Sequence, residues 1–430
     1  MRRMLSSIGF TLALLCPWTA YAQGPASCTT TSQNLWVRDQ LNTYYYWYRH
    51  LTPGVNPATQ ASPEAYLEAV RYRPIDNSYS FIATAAASDA FYSDSQAIKY
   101  GFTNQTRTSE VLVLQVWAGS PAADAGLQRG DRITEVNGTS VAAHVTNGTL
   151  GAAFGPDVVG QTASIVFVKP SGELFSAQMV KRLTTIPTVA IASVTEVDGR
   201  RVGYVFFNNF VQPSFAALND AFARLKAAGA NELVLDLRYN GGGQVDVAVH
   251  LASLIGGVRT NGQPMLNYVH NDIIGPVLNK TTRFTNPEHA LSLEQLVVIT
   301  TRSSASASEL VINSLRPFMP VTVVGDTTYG KPVGQYGLRF CEKILYPVAF
   351  SIRNANNEGD FFSGIPVDCA AADDAARQLG DPAEGSFAEA LTVIRTGACT
   401  PPSAAQSRAL LVRQQPMPRL TGLDALINAR

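Results

Sequence analysis

Net charge is what this sequence lacks most plainly. Its 430 residues carry 33 basic and 33 acidic side chains, which cancel, so no excess positive field exists to follow a phosphate backbone or an anionic membrane surface. A nucleic-acid partner is not expected. Histidine is scarce too, with five scattered residues, and no two cysteines stand at metal-ligand spacing. Neither a metal nor any other cofactor is expected. Long apolar runs are missing as well. The opening residues put Arg2 and Arg3 before an apolar stretch too short to span a bilayer, followed by Ala20-Tyr21-Ala22, a triplet of the kind signal peptidase cuts after. Residues 1–22 therefore read as a secretory signal, with the mature chain starting near Gln23. A membrane anchor is the plainer alternative. Cys16 follows Leu15 where a lipidated cysteine wants a small residue, and Cys28 is the weaker lipid site. The expected destination is the periplasm, with lipid-anchored and secreted forms left open.

What is present is a globular composition, 46% apolar and 15% charged, on a chain longer than one typical domain. Beyond the signal stand Cys28, Cys341, Cys369 and Cys399, an even number in an exported chain, so two disulfides are expected. Of the three connectivities, Cys341 with Cys369 and Cys28 with Cys399 is the expected one. The first pair is near in sequence and the second would tie the two ends. No fixed-period repeat is visible.

In "TSQNLWVRDQLNTYYYWYRHL", Leu35, Val37, Leu41, Tyr44, Tyr45 and Tyr48 fall near helical spacing, and "SPEAYLEAVRY" follows as a second helical piece. Such an aromatic stripe predicts core rather than a binding face, so residues 23–85 read as an N-terminal helical segment. From about Ala86 the pattern turns strand-like. "EVLVLQVWAGSPAADAGLQRGDRITEVNG" reads as strand, a helix capped by Ser120 with Pro121 in its first turn, then a strand closed by Asn137-Gly138. "TASIVFVKPSGELFSAQMV" reads as a hairpin. Over residues 86–183 the chain resembles a PDZ domain of the bacterial, protease-associated kind. That family binds extended peptides, often C-terminal ones, by strand addition. "KYGFTN", Lys99 to Asn104, is either its carboxylate loop or an ordinary glycine turn. Beyond it, buried-type strands such as "NELVLDLR" and "EQLVVIT" alternate with helices, which predicts an α/β layer with a largely parallel sheet over residues 184–400. Residues 401–430 read as a loosely held tail.

Three stretches could carry chemistry. "TRSSASASEL" places Ser304, Ser306 and Ser308 where a buried strand meets a helix, and amides at a helix N-terminus stabilise developing negative charge. The same residues also suit a capping box, Ser306 with Glu309. No histidine lies in the adjacent units to serve as base; the nearest, His289, precedes the strand. Lys331 in "GDTTYGKPVGQYG" is the candidate, provided burial lowers its pKa enough to leave the amine neutral. "DLRYNGGG", Asp236 to Gly243, ends a further strand in glycines, where a backbone amide can approach an oxyanion or simply turn into the next helix.

In order and rough spacing, "GYVFFNNF", "LVLDLRYNGGG", "SSASASEL" and "TYGKPVGQ" resemble the C-terminal processing peptidases, also called tail-specific proteases. With the PDZ-like region the resemblance covers most of residues 86–337. It implies a Ser-Lys serine endopeptidase on a crotonase-like α/β core, without metal or nucleotide. Position by position, it implies Ser306 as nucleophile, Lys331 twenty-five positions later as base, and Gln335 holding the amine. The oxyanion donors would be Ala307 and Gly243, with Gly242 as the alternate. Two departures are visible. Pro332 stands where many members have glycine after the lysine, and Gly241 stands where many have proline; neither removes a catalytic group. The expected partners are polypeptide substrates, met through their C-termini, with homo-oligomerisation left open. Two rival readings remain: an exported peptide-binding adaptor with a silent protease-like domain, and an acyl-CoA enzyme on the same layers.

Overall fold

The computed structural model describes residues 24–401 and 422–427. The expected signal, its cleavage site, Cys16 and most of the expected tail lie outside them. The centre is a six-stranded sheet in the order Val189–Val197, Arg200–Phe207, Glu232–Asp236, Leu296–Thr300, Val321–Gly325, Cys369–Ala370. Its first pair is antiparallel and every later pair parallel. Alternate residues of each strand face opposite sides of the sheet. Val205, Leu233, Leu235 and Val298 pack against Leu218, Leu251 and Val311 from the helices Ser214–Ala227, Val245–Gly256 and Ala307–Leu315. Tyr204, Phe206, Val234 and Val297 pack on the other face against Phe387, Leu391 and Ile394 of helix Gly385–Thr396. Burial on both faces explains why these strands are apolar without alternation.

A second sheet, in the order Thr281–Arg283, Pro264–His270, Val348–Asn354, Val333–Gln335, is antiparallel and lies beside helix Ala307–Leu315. The PDZ-like region has its own core around Phe102, Val113, Ile133 and Phe167. Its local sequence signals read as expected. Ser120 Oγ accepts from the amide of Ala123 at 3.2 Å, with Pro121 in the first turn. Asn137 and Gly138 both take positive φ, 51° and 74°, to close a tight turn.

Helices Thr30–Tyr44 and Pro63–Val70 pack their apolar residues against the hairpin Leu338–Phe340 and Lys343–Tyr346, where Trp36 stacks on Phe340 at 4.6 Å. This docking overturns the expected disulfide pairing. Cys28 precedes the first helix and meets Cys341 at the tip of that hairpin, with Cα atoms 6.0 Å apart. Cys369 in the edge strand pairs with Cys399, just past the helix covering that sheet, at 5.2 Å. The pairing follows what each cysteine's element packs on, not proximity in sequence. Within the stretch expected to be a tail, Leu423–Ile427 is a helix with Leu426 buried. Among the described residues, no helix is long and apolar enough to cross a membrane.

Candidate active site

Strand Leu296–Thr300 ends one turn before helix Ala307–Leu315, and the three serines of that turn have different surroundings. Ser304 Oγ donates to the Leu237 carbonyl at 2.8 Å and Ser308 Oγ to the Asn240 carbonyl at 3.0 Å, both fully buried. These two hydroxyls pin the turn to the neighbouring glycine-rich loop. Ser306 instead lines a cavity of about 340 Å³. Its backbone has φ 54° and ψ −111°, a conformation that a non-glycine residue holds only when its surroundings over-determine it.

Those surroundings centre on Glu309. Its buried carboxylate accepts from the amide of Ser306 at 2.8 Å, from the amides of Gly330 and Lys331 at 2.7 and 2.8 Å, and from the Thr328 hydroxyl. Burial pushes its pKa up while these donors pull it down. One side chain thus fixes the serine turn relative to the lysine loop. The sequence pairs Ser306 with Glu309 as a capping box but gives no sign of the bonds to Gly330 and Lys331.

Lys331 lines the same cavity, and its amine donates to Gln335 Oε1 at 2.8 Å. Gln335 sits in strand Val333–Gln335 and is held through its own amide nitrogen by the carbonyls of Tyr79 (2.6 Å) and Tyr346 (3.0 Å). The amine also lies 5.9 Å from the centre of the Tyr79 ring. Burial lowers the lysine pKa to about 8, against the opposing pull of Asp76 and Glu309. The residue as a whole is partly exposed and lines the cavity. Asp76 is fixed in turn by Tyr45 and by the amides of Tyr79 and Ser80, each at 2.9 Å. Sequence reasoning missed Asp76 and Tyr79, which come from the N-terminal segment more than 250 positions from the lysine; no local pattern marks them. The amine and the Ser306 hydroxyl share the cavity without a direct hydrogen bond, an arrangement common in catalytic pairs before substrate binds.

The glycine turn closes the third side. Asn240 donates from its side chain to the Phe207 carbonyl at 2.8 Å and receives the amide of Gly242 at 2.9 Å. That bond uses up the Gly242 amide, and Gly243 rather than Gly242 lines the cavity beside Ala307. Gly242 has φ 105°, and a Cβ there would sit 2.9 Å from Ser306 Cβ and 3.0 Å from the Ala307 nitrogen. The turn needs glycine because it lies directly on the serine. Its base is a buried ionic cluster. Arg238 bonds Asp236, Asp373 and Glu384. Arg129 of the PDZ-like region reaches the Tyr239 hydroxyl at 2.9 Å and Asp373 at 2.5 Å. Leu266, Leu310, Ile352 and Phe361 supply apolar walls to the cavity. Hydroxyl, lowered-pKa amine and glycine turn together form a set suited to acyl transfer. One grouping of metal-ligating residues occurs among the described residues, Cys369, Glu389 and Cys399. Both of its sulfurs are in a disulfide, so it offers a cation no thiolate.

Comparison with known proteins gives three domain matches. Residues 32–81 match the peptidase S41 N-terminal domain, residues 112–148 a PDZ domain, and residues 201–367 peptidase family S41. A carboxyl-terminal-processing protease of Synechocystis is 26% identical over 52% of this chain and 50% of its own length. A carboxy-terminal processing protease of Bacillus subtilis is 27% identical over 52% of this chain and 44% of its own. The chain spans about half the length of the curated relatives it matches. A Bacteroides fragilis structure assigned to the S41 proteases superposes with TM-score 0.69 at 26% identity, covering 84% of this chain and 97% of that one. The photosystem II D1 C-terminal processing protease reaches TM-score 0.50 at 19% identity, over 80% of this chain and 94% of its own, which speaks for the fold alone. The chain is a member of peptidase family S41, with that family's N-terminal domain and a PDZ domain ahead of its peptidase domain.

Proposed function

We propose that this chain is an exported serine endopeptidase of the C-terminal processing type, acting on polypeptides through a Ser306–Lys331 acyl-enzyme mechanism. Neutral Lys331 takes the Ser306 proton as the hydroxyl attacks the scissile carbonyl, and Gln335 orients the amine. The amides of Gly243 and Ala307 stabilise the tetrahedral oxyanion, the leaving amine takes up the proton, and water then releases the acyl group. The single observation that carries this reading is the meeting of Ser306, Lys331, Gln335, Ala307 and Gly243 around one cavity. The domain division follows the sequence: signal 1–22, helical segment 23–85, PDZ-like domain 86–183, crotonase-like peptidase core 184–400, and the remainder 401–430. In this reading the PDZ-like domain presents substrate C-termini to the core. Two disulfides favour an oxidising compartment such as the periplasm. The test is hydrolysis of an unfolded protein with a free apolar C-terminus by wild type, Ser306→Ala and Lys331→Ala. Turnover in wild type with both variants dead is expected. Binding without turnover in all three moves the protein to the adaptor class.

A further inference from the structure

Residues 422–427 lie outside the three matched domains, yet they are not loose. Leu426 is buried in a cluster with Phe91, Ala97, Trp117 and Val211. Asp424 pairs at 2.6 Å with Lys99, a lysine only 7% exposed. Ala97, Lys99 and Trp117 belong to the PDZ-like region, whereas Val211 belongs to the peptidase core, so the short helix bridges the crevice between the two. On its inner side it presses on the glycine turn. A Cβ on Gly241 would lie 2.1 Å from the Ala425 carbonyl oxygen and 2.7 Å from Leu426 Cα. Leu423 packs against the group containing Phe81, Tyr92 and Tyr346, and the last two also line the Ser306 cavity. The segment therefore touches both the turn that supplies Gly243 and the outer side of the cavity wall.

The seat has a definite chemistry. Five apolar side chains, those four and Ile186, take one leucine-sized group, and a buried ammonium already shared with Asp157 takes one more carboxylate. Lys99 opens the "KYGFTN" stretch, but the apolar part of the seat is built from other residues than strand Phe102–Thr106, which among the described residues pairs on one side, with Val111–Val116, and keeps its other edge for strand addition. We propose that this crevice is a second peptide-binding site for a short amphipathic segment bearing an acidic residue. The chain fills it with its own residues 422–427, and a polypeptide approaches the Ser306 cavity from this side only once that segment has left. A tethered occupant is present at high effective concentration, so it competes well even when its intrinsic affinity is weak.

The binding half of this inference stands without the peptidase reading; the effect on turnover rests on it. The test compares full-length wild type with Leu426→Asp, which unseats the segment, and with Asp424→Lys, which sets like charges against each other at Lys99. The probe is a labelled synthetic peptide with the sequence of residues 418–430, followed by fluorescence anisotropy. Both variants are expected to bind it about tenfold more tightly than wild type, whose seat is already filled. They should also degrade unfolded protein about fivefold faster at limiting substrate, with the added peptide reversing the gain. Equal binding to all three chains, or none to any, overturns the site. Tighter binding by the variants in chains that turn over nothing keeps the site and removes the peptidase reading. Tighter binding with unchanged turnover in an active enzyme overturns the blocking role.

Discussion

Lys331 carries an energetic cost that follows from its proposed role. Burial holds its pKa at about 8, below the ordinary lysine value of about 10.4. Between those two values the unfolded chain keeps the proton and the folded one does not, so folding stability rises with pH across that window. Below pH 8 both states are protonated, and the folded state bears the full cost of a buried charge. Lys331→Met is therefore expected to stabilise the fold at pH 7 by roughly 1–3 kcal/mol. The gain should fade as pH rises from 8 towards 10, and activity should be lost throughout. Thermal denaturation of both proteins across that range checks this, and a gain constant with pH would contradict it. Asp76 and Glu309 oppose the depression, which keeps the amine within a range where both protonation states are accessible near neutral pH.

At the level of elements, the site is three strand ends held together by backbone bonds. Gly242→Ala sets a methyl group 2.9 Å from Ser306 Cβ and asks a residue with a Cβ to hold φ 105°. The expected cost is roughly 1–3 kcal/mol in stability, together with a loss on the order of a hundredfold in kcat as Ser306 and Ala307 are displaced. A kinetic and denaturation series on Gly242→Ala and Gly138→Ala checks both parts, because Gly138 lies at an open turn away from any neighbour. The strand ends were legible in the sequence because each closes a run of apolar residues that leads within a few positions to glycine or serine. The choice of Ser306 over Ser304 and Ser308 was not legible from the residues and came from the family resemblance. The string alone does not single out the nucleophile; in the fold the outer two are bonded to Leu237 and Asn240, while Ser306 holds a positive φ and lines the cavity.

Across the whole molecule, the same contrast between local and long-range information holds. The PDZ-like turns and caps depend on neighbours a few positions away, so sequence reading placed them. The disulfides, the support of Lys331 by Asp76 and Tyr79, and the seating of Leu426 all depend on how distant elements pack, which composition and spacing do not encode. Arg129 is a further case: from the PDZ-like region it bonds Tyr239, beside the glycine turn in the chain, together with Leu114, Asp373 and Arg377. Arg129→Met leaves Asp373 with less positive charge in a buried cluster and is expected to destabilise the fold by about 3–5 kcal/mol. Urea denaturation read separately by probes in the two regions should show both transitions moving together; a shift confined to the PDZ-like region would contradict the linkage. The central claim is that a neutral Lys331 activates Ser306. Its most direct measurement is the rate at which an activated ester acylates the protein between pH 6 and 10, with the modified residue mapped by mass spectrometry. The account predicts label on Ser306, a rate rising through a midpoint near 8, and no rise in Lys331→Met. Label on another residue, or a Ser306 rate indifferent to Lys331, would contradict it.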